Sequence, residues 1–316
     1  MGTNYAIRNP ARDHTYLKFG TLRIYVQHAN DDLTRHLERE MGRHLEAVDE
    51  AGTHDAKISL IPCKHLPAPP SKAEFVRSET DADVFKKDSI RCLVGASYLV
   101  MHDSASHEAT VYYRDCNEVY HRVRSSLKWL VIGAAECSGQ FYLHAGACVW
   151  KERTIIFCGD SGAGKTSSLI RSARLGARLL VDDMVLADHD GIHPIYLGMN
   201  IRGDSPKRFS IPEGSLQMDV IGSIALQPQP GPYSIVFVRA WRNDSSIKRS
   251  VGSGRAVLQL WKMYEKESSY NAAPQRRAVW LSRAKQFLRG AVFYELLMGA
   301  NEQQIVAQLR ELFEGL

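Results

Sequence analysis

The sequence predicts an α/β fold, and three successive segments near the middle of the chain support that prediction. Residues 154–158 (TIIFC) are apolar and rich in β-branched side chains, which indicates a buried strand. Residues 159–166 (GDSGAGKT) fit the pattern G-x-x-x-x-G-K-[ST]. Residues 167–174 are typical of a helix, which Gly176 would end. A strand, a glycine-rich loop and a helix in this order form the context in which the pattern binds phosphate.

The glycine-rich loop has the chemistry of a phosphate site. Its glycines allow backbone conformations that turn successive N–H groups toward one anion, and the helix N-terminus adds a partial positive charge. The Lys165 ammonium can reach the β- and γ-phosphates of a nucleotide, and the Thr166 hydroxyl can ligate Mg²⁺. The alternative is a glycine-rich turn that matches by chance. The pattern therefore predicts ATP or another nucleoside triphosphate with Mg²⁺, bound by Gly159, Asp160, Ser161, Gly162, Ala163, Gly164, Lys165, Thr166 and Ser167.

Composition and charge are those of an ordinary globular protein. The 316 residues are 44% hydrophobic and 24% charged, enough for one large or two medium domains. The net charge of +5 is scattered, which favours anionic ligands such as nucleotides over nucleic acid. We expect no membrane segment, because apolar stretches are short and residues 1–13 lack the apolar core of a signal peptide. Six cysteines without C-x-x-C spacing indicate reduced thiols, so a cytoplasmic protein without structural zinc is expected.

The sequence of residues 1–120 indicates a smaller α+β domain at the amino-terminal end. A helix is expected from Asp31 or Asp32 to about Val48, and residues 62–72 hold four prolines and predict a loop. The predicted strands cover residues 17–27, 56–61, 91–101 and 109–114, the last two joined as a hairpin. This part carries no motif that indicates chemistry, so we expect a role in packing or in docking a substrate.

The sequence of residues 121–316 indicates a second domain, which contains the glycine-rich loop. It begins with a helix over residues 122–137, and residues 256–316 are expected to be largely helical. The predicted strands cover residues 141–149, which include His144, and residues 177–181 and 234–238. We expect the strand before the loop to lie between the strand that carries His144 and the strand that ends at Asp182, in one sheet. Asp182 and Asp183 follow the strand that comes after the predicted helix. Acidic residues at this position normally bind the Mg²⁺ that accompanies a nucleotide.

The order of these motifs resembles the HPr kinase/phosphorylase family, whose core is shared with phosphoenolpyruvate carboxykinase. The family places a histidine on a short apolar strand, then the loop G-D-S-G-x-G-K-[ST], then a V-D-D pair. This chain has HAGACV from His144, GDSGAGKTS from Gly159 and LLVDDMV around Asp183. Residues 238–243 (VRAWRN) are similar to the family's V-R-P-G-R-N. The resemblance covers residues 140–245 and implies a P-loop core of this type, preceded by a smaller domain, and a homo-oligomer.

The resemblance also implies roles for individual residues. Asp183 matches the family's general base, His144 its active-site histidine near the phosphates, and Lys165 keeps its role in the loop. Asn200 occupies the position of a metal carboxylate in the family's E-I-R-G segment, and an amide oxygen can ligate Mg²⁺ without adding charge. The implied metal ligands are thus Thr166, Asp182 and Asn200. The implied contacts to phosphate or substrate are Arg202, Arg239 and Arg242.

Three functions are compatible with these residues. The first is a kinase that transfers the γ-phosphoryl of ATP to a serine of a peptide or protein, for instance a natural-product precursor peptide. The second is a kinase for a small hydroxyl compound such as free serine or a sugar-like metabolite. The third is a nucleotide-binding regulator without transfer activity. The H-R-D and D-F-G loops of eukaryotic protein kinases are absent from the sequence, which sets that class aside.

Overall fold

A computed structural model shows the chain as two compact units, Met1–Ser138 and Gly139–Leu316. The residues that it describes are 14–29, 32–41, 45–46, 53–79, 81–138, 140–193, 195, 209, 228–240, 246–268 and 274–316. All statements about structure below concern these residues. Of the described helices, none combines the length and the apolar character needed to cross a bilayer. No disulfide joins the six cysteines, all of which lie in the described ranges.

The first unit contains a mixed sheet in which the strand order is β3-β1-β2-β4-β9-β8-β7-β6-β5. Its elements are β1 (His14–Phe19), β2 (Leu22–Gln27), α1 (Asp32–Met41), β3 (Leu45–Glu46), β4 (Ala56–Pro62), β5 (Glu74–Ser78), β6 (Ala82–Lys87), β7 (Ile90–Gly95), β8 (Tyr98–Asp103), β9 (Glu108–Tyr113) and α2 (Cys116–Ser138). The prediction of one strand over residues 17–27 is wrong. Gly20 adopts a φ of 65°, which turns the chain so that β1 and β2 pair as an antiparallel hairpin.

Two further predictions in this unit need correction. The predicted strand 91–101 is divided between β7 and β8, which pair as a hairpin across residues 96–97. The helix predicted to reach Val48 ends at Met41, and a short strand, β3, follows it. The strand predicted at residues 56–61 is confirmed by β4, and the proline-rich stretch forms a connection between β4 and β5.

Helix α2 belongs to the first unit, which puts the division after Ser138 rather than at residue 120. The helix packs against β2, β4, β8 and β9 and against α1. Its apolar face buries Leu127, Leu130, Val131 and Ala135 almost completely. Because these side chains cover the sheet of the first unit, the hydrophobic contact holds the helix to that unit.

The second unit is also α/β and contains two sheets. Its elements are β10 (Phe141–Leu143), β11 (Ala145–Trp150), β12 (Arg153–Cys158), α3 (Lys165–Arg174), β13 (Arg178–Val181), β14 (Val185–Asp188), β15 (Gly191–His193), β16 (Tyr233–Ala240), β17 (Ile247–Ser250), α4 (Ser253–Ser268), α5 (Pro274–Phe287), β18 (Val292–Met298) and α6 (Glu302–Glu314). The larger sheet has the order β13-β11-β12-β16-β18-β17, and the smaller one has the order β10-β14-β15.

The neighbours of β12 differ in part from the prediction. Strand β11 pairs with β12 as expected, but it does so antiparallel, through a hairpin. The other neighbour is β16, which is parallel to β12, whereas β13 pairs with the far side of β11. The predicted strand 141–149 is also interrupted at His144, because β10 joins the smaller sheet and β11 joins the larger one.

The carboxyl-terminal region contains a strand that was not predicted, since the sequence analysis predicts a largely helical structure for residues 256–316. Strand β18 lies inside the larger sheet, parallel to β16 and antiparallel to β17. Its sequence, VFYELLM, is rich in residues that favour strands and lies between Gly290 and Gly299. The acidic residue in its centre, Glu295, hides the apolar pattern from an analysis of periodicity.

Helices α3 and α6 pack on one face of the larger sheet and form a common core with it. Leu169 of α3, Leu309 of α6 and Val236 of β16 belong to this core. An ion pair between the buried Arg171 side chain and the half-exposed Glu302 side chain joins the two helices, since Arg171 donates to both carboxylate oxygens of Glu302 at 2.7 Å. The helix that begins at the glycine-rich loop is therefore fixed by apolar packing on one side and by a bidentate ion pair on another.

Candidate active site

The glycine-rich loop connects β12 directly to the first turn of α3. Gly162 and Gly164 have φ values of 79° and 101°, in the left-handed region that glycine favours. A Cβ atom built on Gly164 would overlap the Met298 Cε atom, whereas one built on Gly162 would meet no atom within 4 Å. Glycine is thus favoured at position 164 by its backbone conformation, and a larger residue there would also require the flexible Met298 side chain to move.

The Lys165 side chain lies back along the loop. Its Nζ donates hydrogen bonds to the carbonyl oxygens of Gly159 at 2.8 Å and Asp160 at 3.1 Å, and the residue is buried. These carbonyls hold the ammonium beside the backbone of the loop, so its charge is available at the place where the sequence predicts phosphate.

Thr166 and Asp182 bring the start of α3 against the end of β13. The Thr166 hydroxyl donates to the two carboxylate oxygens of Asp182 at 3.1 and 3.3 Å. Asp182 is buried, with 5% of its surface exposed. A hydroxyl and a carboxylate in contact are oxygen donors of the kind that Mg²⁺ prefers.

His144 and Asp183 form the next contact. His144 Nε2 lies 2.6 Å from Asp183 Oδ1, within hydrogen-bonding distance. Both side chains are partly exposed, His144 at 17% and Asp183 at 34%. The backbone of Asp183 has a φ of 72°, a conformation that costs a non-glycine residue of the order of 1–3 kcal/mol and is concentrated at functional sites.

These contacts form one continuous series. Lys165 and Thr166 are neighbours on α3, Thr166 contacts Asp182, Asp182 precedes Asp183, and Asp183 contacts His144. The structure therefore brings five of the residues predicted from the sequence to one place: Lys165, Thr166, Asp182, Asp183 and His144. Three others, Asn200, Arg202 and Arg242, lie outside the described residues.

A cavity of about 630 Å³ opens beside the loop. It lies between residues 159–163 of the loop, residues 237–240 at the end of β16, and the α4 side chains of Gln259, Lys262 and Met263. The α4 residues were not predicted, because helical spacing alone does not show that one turn of a helix faces a loop far away in the sequence. Lys262 adds a positive charge to this cavity.

Arg239, one of the predicted phosphate or substrate contacts, lines the same cavity and pairs with an acid that the sequence analysis missed. Its Nη1 donates to Glu295 Oε1 at 3.2 Å, and Arg249 Nε donates to Glu295 Oε2 at 2.6 Å. Burial would raise the pKa of Glu295, but the hydrogen bonds from Arg249 and Arg239 outweigh it and hold the pKa below its ordinary value of 4.5. The signal that could have found Glu295 is a single acid within an otherwise apolar strand.

Comparison with known proteins gives little further information. No family model matches the chain, and no curated protein matches it significantly. The solved structures that match include the Hpr(Ser) kinase/phosphatase from Coxiella burnetii, at 13% identity and a TM-score of 0.27, with 55% of this chain and 99% of that chain covered. A likeness this distant carries no argument about mechanism, so the case for a function depends on the residues themselves.

Proposed function

We propose that this protein is an ATP-dependent kinase that transfers a phosphoryl group to the hydroxyl of a serine in a peptide or protein. The observation that carries the proposal is the contact series from Lys165 through Thr166, Asp182 and Asp183 to His144. Within one site it combines a cation for phosphate, oxygen donors for a metal, and a partly exposed carboxylate. The motif resemblance to the HPr kinase/phosphorylase family supports the same chemistry.

The residues fit ATP and Mg²⁺. The loop backbone, the Lys165 ammonium and the N-terminus of α3 supply the donors and positive charge that phosphates require. Thr166 and Asp182 would hold the metal, and Asn200 is the further ligand expected from the sequence. Bound Mg²⁺ would neutralise negative charge on the phosphates and so assist transfer.

Asp183 is the proposed general base. Its carboxylate accepts the proton of the acceptor hydroxyl as the hydroxyl oxygen forms a bond to the γ-phosphorus. The bond between the γ-phosphorus and the oxygen that bridges it to the β-phosphate breaks, and ADP carries that electron pair away. The protein supplies position and charge, because transfer of this kind needs little covalent chemistry from its side chains.

His144 is proposed to position this base. A ring nitrogen within 2.6 Å of Asp183 Oδ1 can fix the orientation of the carboxylate. The partial exposure of Asp183 leaves it accessible to an acceptor. Asp182, which faces Thr166 at the start of α3, is oriented toward the loop, and this supports an enzyme over a regulator whose acids point elsewhere.

The experiment that tests the proposal is a phosphoryl-transfer assay by mass spectrometry. The protein is incubated with ATP and Mg²⁺ and with candidate acceptors, namely serine-containing peptides, proteins encoded nearby and small hydroxyl compounds. A gain of one phosphoryl group, lost in Asp183→Asn, is expected. The asparagine keeps the size of the side chain but cannot take the proton, so transfer should fall roughly 10²–10⁴-fold while ATP still binds.

The outcomes separate the three candidate functions. Transfer to a peptide or protein supports the proposal, and transfer to small compounds alone would replace it with a metabolite kinase. ATP binding without transfer to any acceptor favours the regulator. Full activity of Asp183→Asn would remove Asp183 as the base.

A further inference from the structure

Three arginines surround one buried acid at the end of the larger sheet. Glu295 has no exposed side-chain surface, whereas the side chains of Arg239, Arg249 and Arg255 are 60%, 51% and 58% exposed. Their nearest nitrogens lie 3.2, 2.5 and 3.9 Å from the Glu295 carboxylate. The carboxylate is thus the buried centre of a group whose outer surface is formed by guanidinium groups.

The arrangement follows from the strand register. Glu295 lies opposite Arg249 on β17 and opposite Phe237 on β16, and Arg239 is two residues beyond Phe237. Residues two apart on a strand point to the same face of a sheet, so Arg239, Arg249 and Glu295 share one face. Arg255, in the first turn of α4, approaches this group from outside the sheet.

The group has more positive charge than the buried acid requires. A buried carboxylate needs a partner, and Arg249 with two nitrogens close to Glu295 already provides one. In the described part of the chain, Glu295 is the one acid within ion-pair distance of these three arginines. Three positive charges against one negative charge leave an excess of two, and grouped like charges are unfavourable unless an anion joins them.

The group extends beyond the cavity beside the loop. Of the described residues, the cavity lining includes Arg239 but neither Arg249 nor Arg255. An anion held by all three arginines would therefore lie beside this cavity and not at its centre. In the larger sheet, β16, β18 and β17 lie on one side of β12, whereas β13, which Asp183 follows, lies on the other side. The anion and the Asp183 carboxylate would thus flank the glycine-rich loop from opposite sides, so a second substrate that reaches both has to be extended.

We propose that Arg239, Arg249 and Arg255 form a subsite for an oxyanion, a carboxylate or a phosphate group, carried by the acceptor. The inference rests on the proposed function, because it assigns the anion to the acceptor. The planar guanidinium suits both groups, since its paired N–H donors match two oxygens at once. The acceptor is accordingly an acidic peptide, because its hydroxyl must reach Asp183 on one side of the loop while its anionic group reaches the arginines on the other.

Calorimetry with defined probes tests the subsite. The protein, saturated with a non-hydrolysable ATP analogue and Mg²⁺, is titrated with acetyl-Glu-Glu-Ser-Glu-Glu-amide, with the corresponding glutamine peptide, and with two short anions, O-phosphoserine and inorganic phosphate. The glutamate peptide should bind more tightly than the glutamine peptide and than either short anion. Arg255→Gln should weaken binding of the glutamate peptide roughly 3- to 10-fold, a modest effect because the side chain is exposed. Arg255→Lys should restore part of the lost affinity.

Arg255 is the sharpest position for this test, because Glu295 keeps both hydrogen-bonded arginines when Arg255 changes. The variant should therefore fold, which circular dichroism would verify. The matched control is Arg178→Gln, since Arg178 is exposed on β13 at the opposite edge of the larger sheet. The control should bind every probe as the wild type does.

Three results would overturn the subsite. The glutamine peptide could bind as tightly as the anionic probes, inorganic phosphate alone could bind, or Arg255→Gln could weaken the ATP analogue instead of the acceptor probes. The phosphoryl-transfer assay tests the proposed function separately from the binding measurements. Binding that depends on the arginines, without any transfer, would support the subsite and contradict the proposed kinase activity. Equal transfer to both peptides, with no effect of Arg255→Gln, would support the kinase activity and contradict the subsite.

Discussion

His144 Nε2 and Asp183 Oδ1 lie 2.6 Å apart although 39 positions separate the two residues in the chain. If this contact positions the base, His144→Ala should lower transfer by roughly 10- to 100-fold while leaving ATP affinity unchanged, because a small misplacement of a catalytic group has effects of this size. His144→Gln retains a side-chain amide and should recover part of the rate. Steady-state kinetics of both variants measure these changes in the transfer rate. Equal rates for His144→Ala and the wild type would contradict the positioning role.

Lys165→Ala should weaken binding of ATP with Mg²⁺ by removing a charge-assisted contact worth roughly 1.5–3 kcal/mol. Calorimetry measures the change. Lys285→Ala is the matched control, since Lys285 is an exposed lysine on α5 and should leave the affinity intact. Unchanged affinity in a folded Lys165→Ala protein would mean that the loop does not bind the nucleotide.

Asp182→Asn should raise the Mg²⁺ concentration needed for half-maximal transfer, because the Asp182 carboxylate contacts Thr166 and the amide brings no charge to the metal. Thr166→Ser keeps the hydroxyl and should behave as the wild type, whereas Thr166→Val should share the shift of Asp182→Asn. A Mg²⁺ titration of transfer rates distinguishes them. An unaltered metal requirement in Asp182→Asn would exclude Asp182 as a ligand.

Gly164→Ala should destabilise the fold more than Gly162→Ala. Both glycines are left-handed, so each alanine costs about 1–2 kcal/mol in backbone conformation, but only position 164 also overlaps the Met298 side chain. Because the overlapping atom is the end of a flexible side chain that can move, this contact should add at most about 1 kcal/mol. Urea unfolding of the two variants measures the difference, and Met298→Ala in the Gly164→Ala background should reduce it. Equal losses at both positions would contradict the close contact.

Glu295 should contribute to stability in a pH-dependent way. Its pKa in the folded protein lies below the ordinary value of 4.5, so the folded state binds fewer protons than the unfolded state in acid. The contribution is present above pH 4.5 and is lost as the pH falls through the lower, folded pKa. Glu295→Gln should therefore reduce the free energy of unfolding at neutral pH, and its difference from wild type should shrink in acid. A difference that stays constant from neutral pH into acid would contradict the depressed pKa.

The segments that are best predicted from the sequence are those whose structure is local. The strand before the loop, the loop and α3 follow one another directly, so β-branched residues, glycines and helical spacing suffice to predict them. Helix α6, at Glu302–Glu314, agrees with the largely helical structure predicted for residues 256–316, because its apolar face repeats with helical spacing. The α/β class follows from such segments.

Several errors arise where distant parts of the chain decide the structure. The second neighbour of β12 is β16, which is far away in the sequence, and no local pattern indicates which strand will pair there. Strand β18 was missed because Glu295 interrupts its apolar run, and the acid is tolerated only because Arg239 and Arg249 from two other strands neutralise it. The α4 side chains beside the loop were missed for the same reason.

His144 and Asp183 lie at two of the points where the chain passes between the sheets of the second unit. His144 separates β10 from β11, and Asp183 lies between β13 and β14; β10 pairs with β14, and β11 pairs with β13. Two paired strands thus bend side by side, and the distance between these residues is set by the number of residues in each strand. One residue inserted into or deleted from either strand would turn one of the two side chains to the opposite face. This corner should therefore tolerate substitutions far better than changes of length.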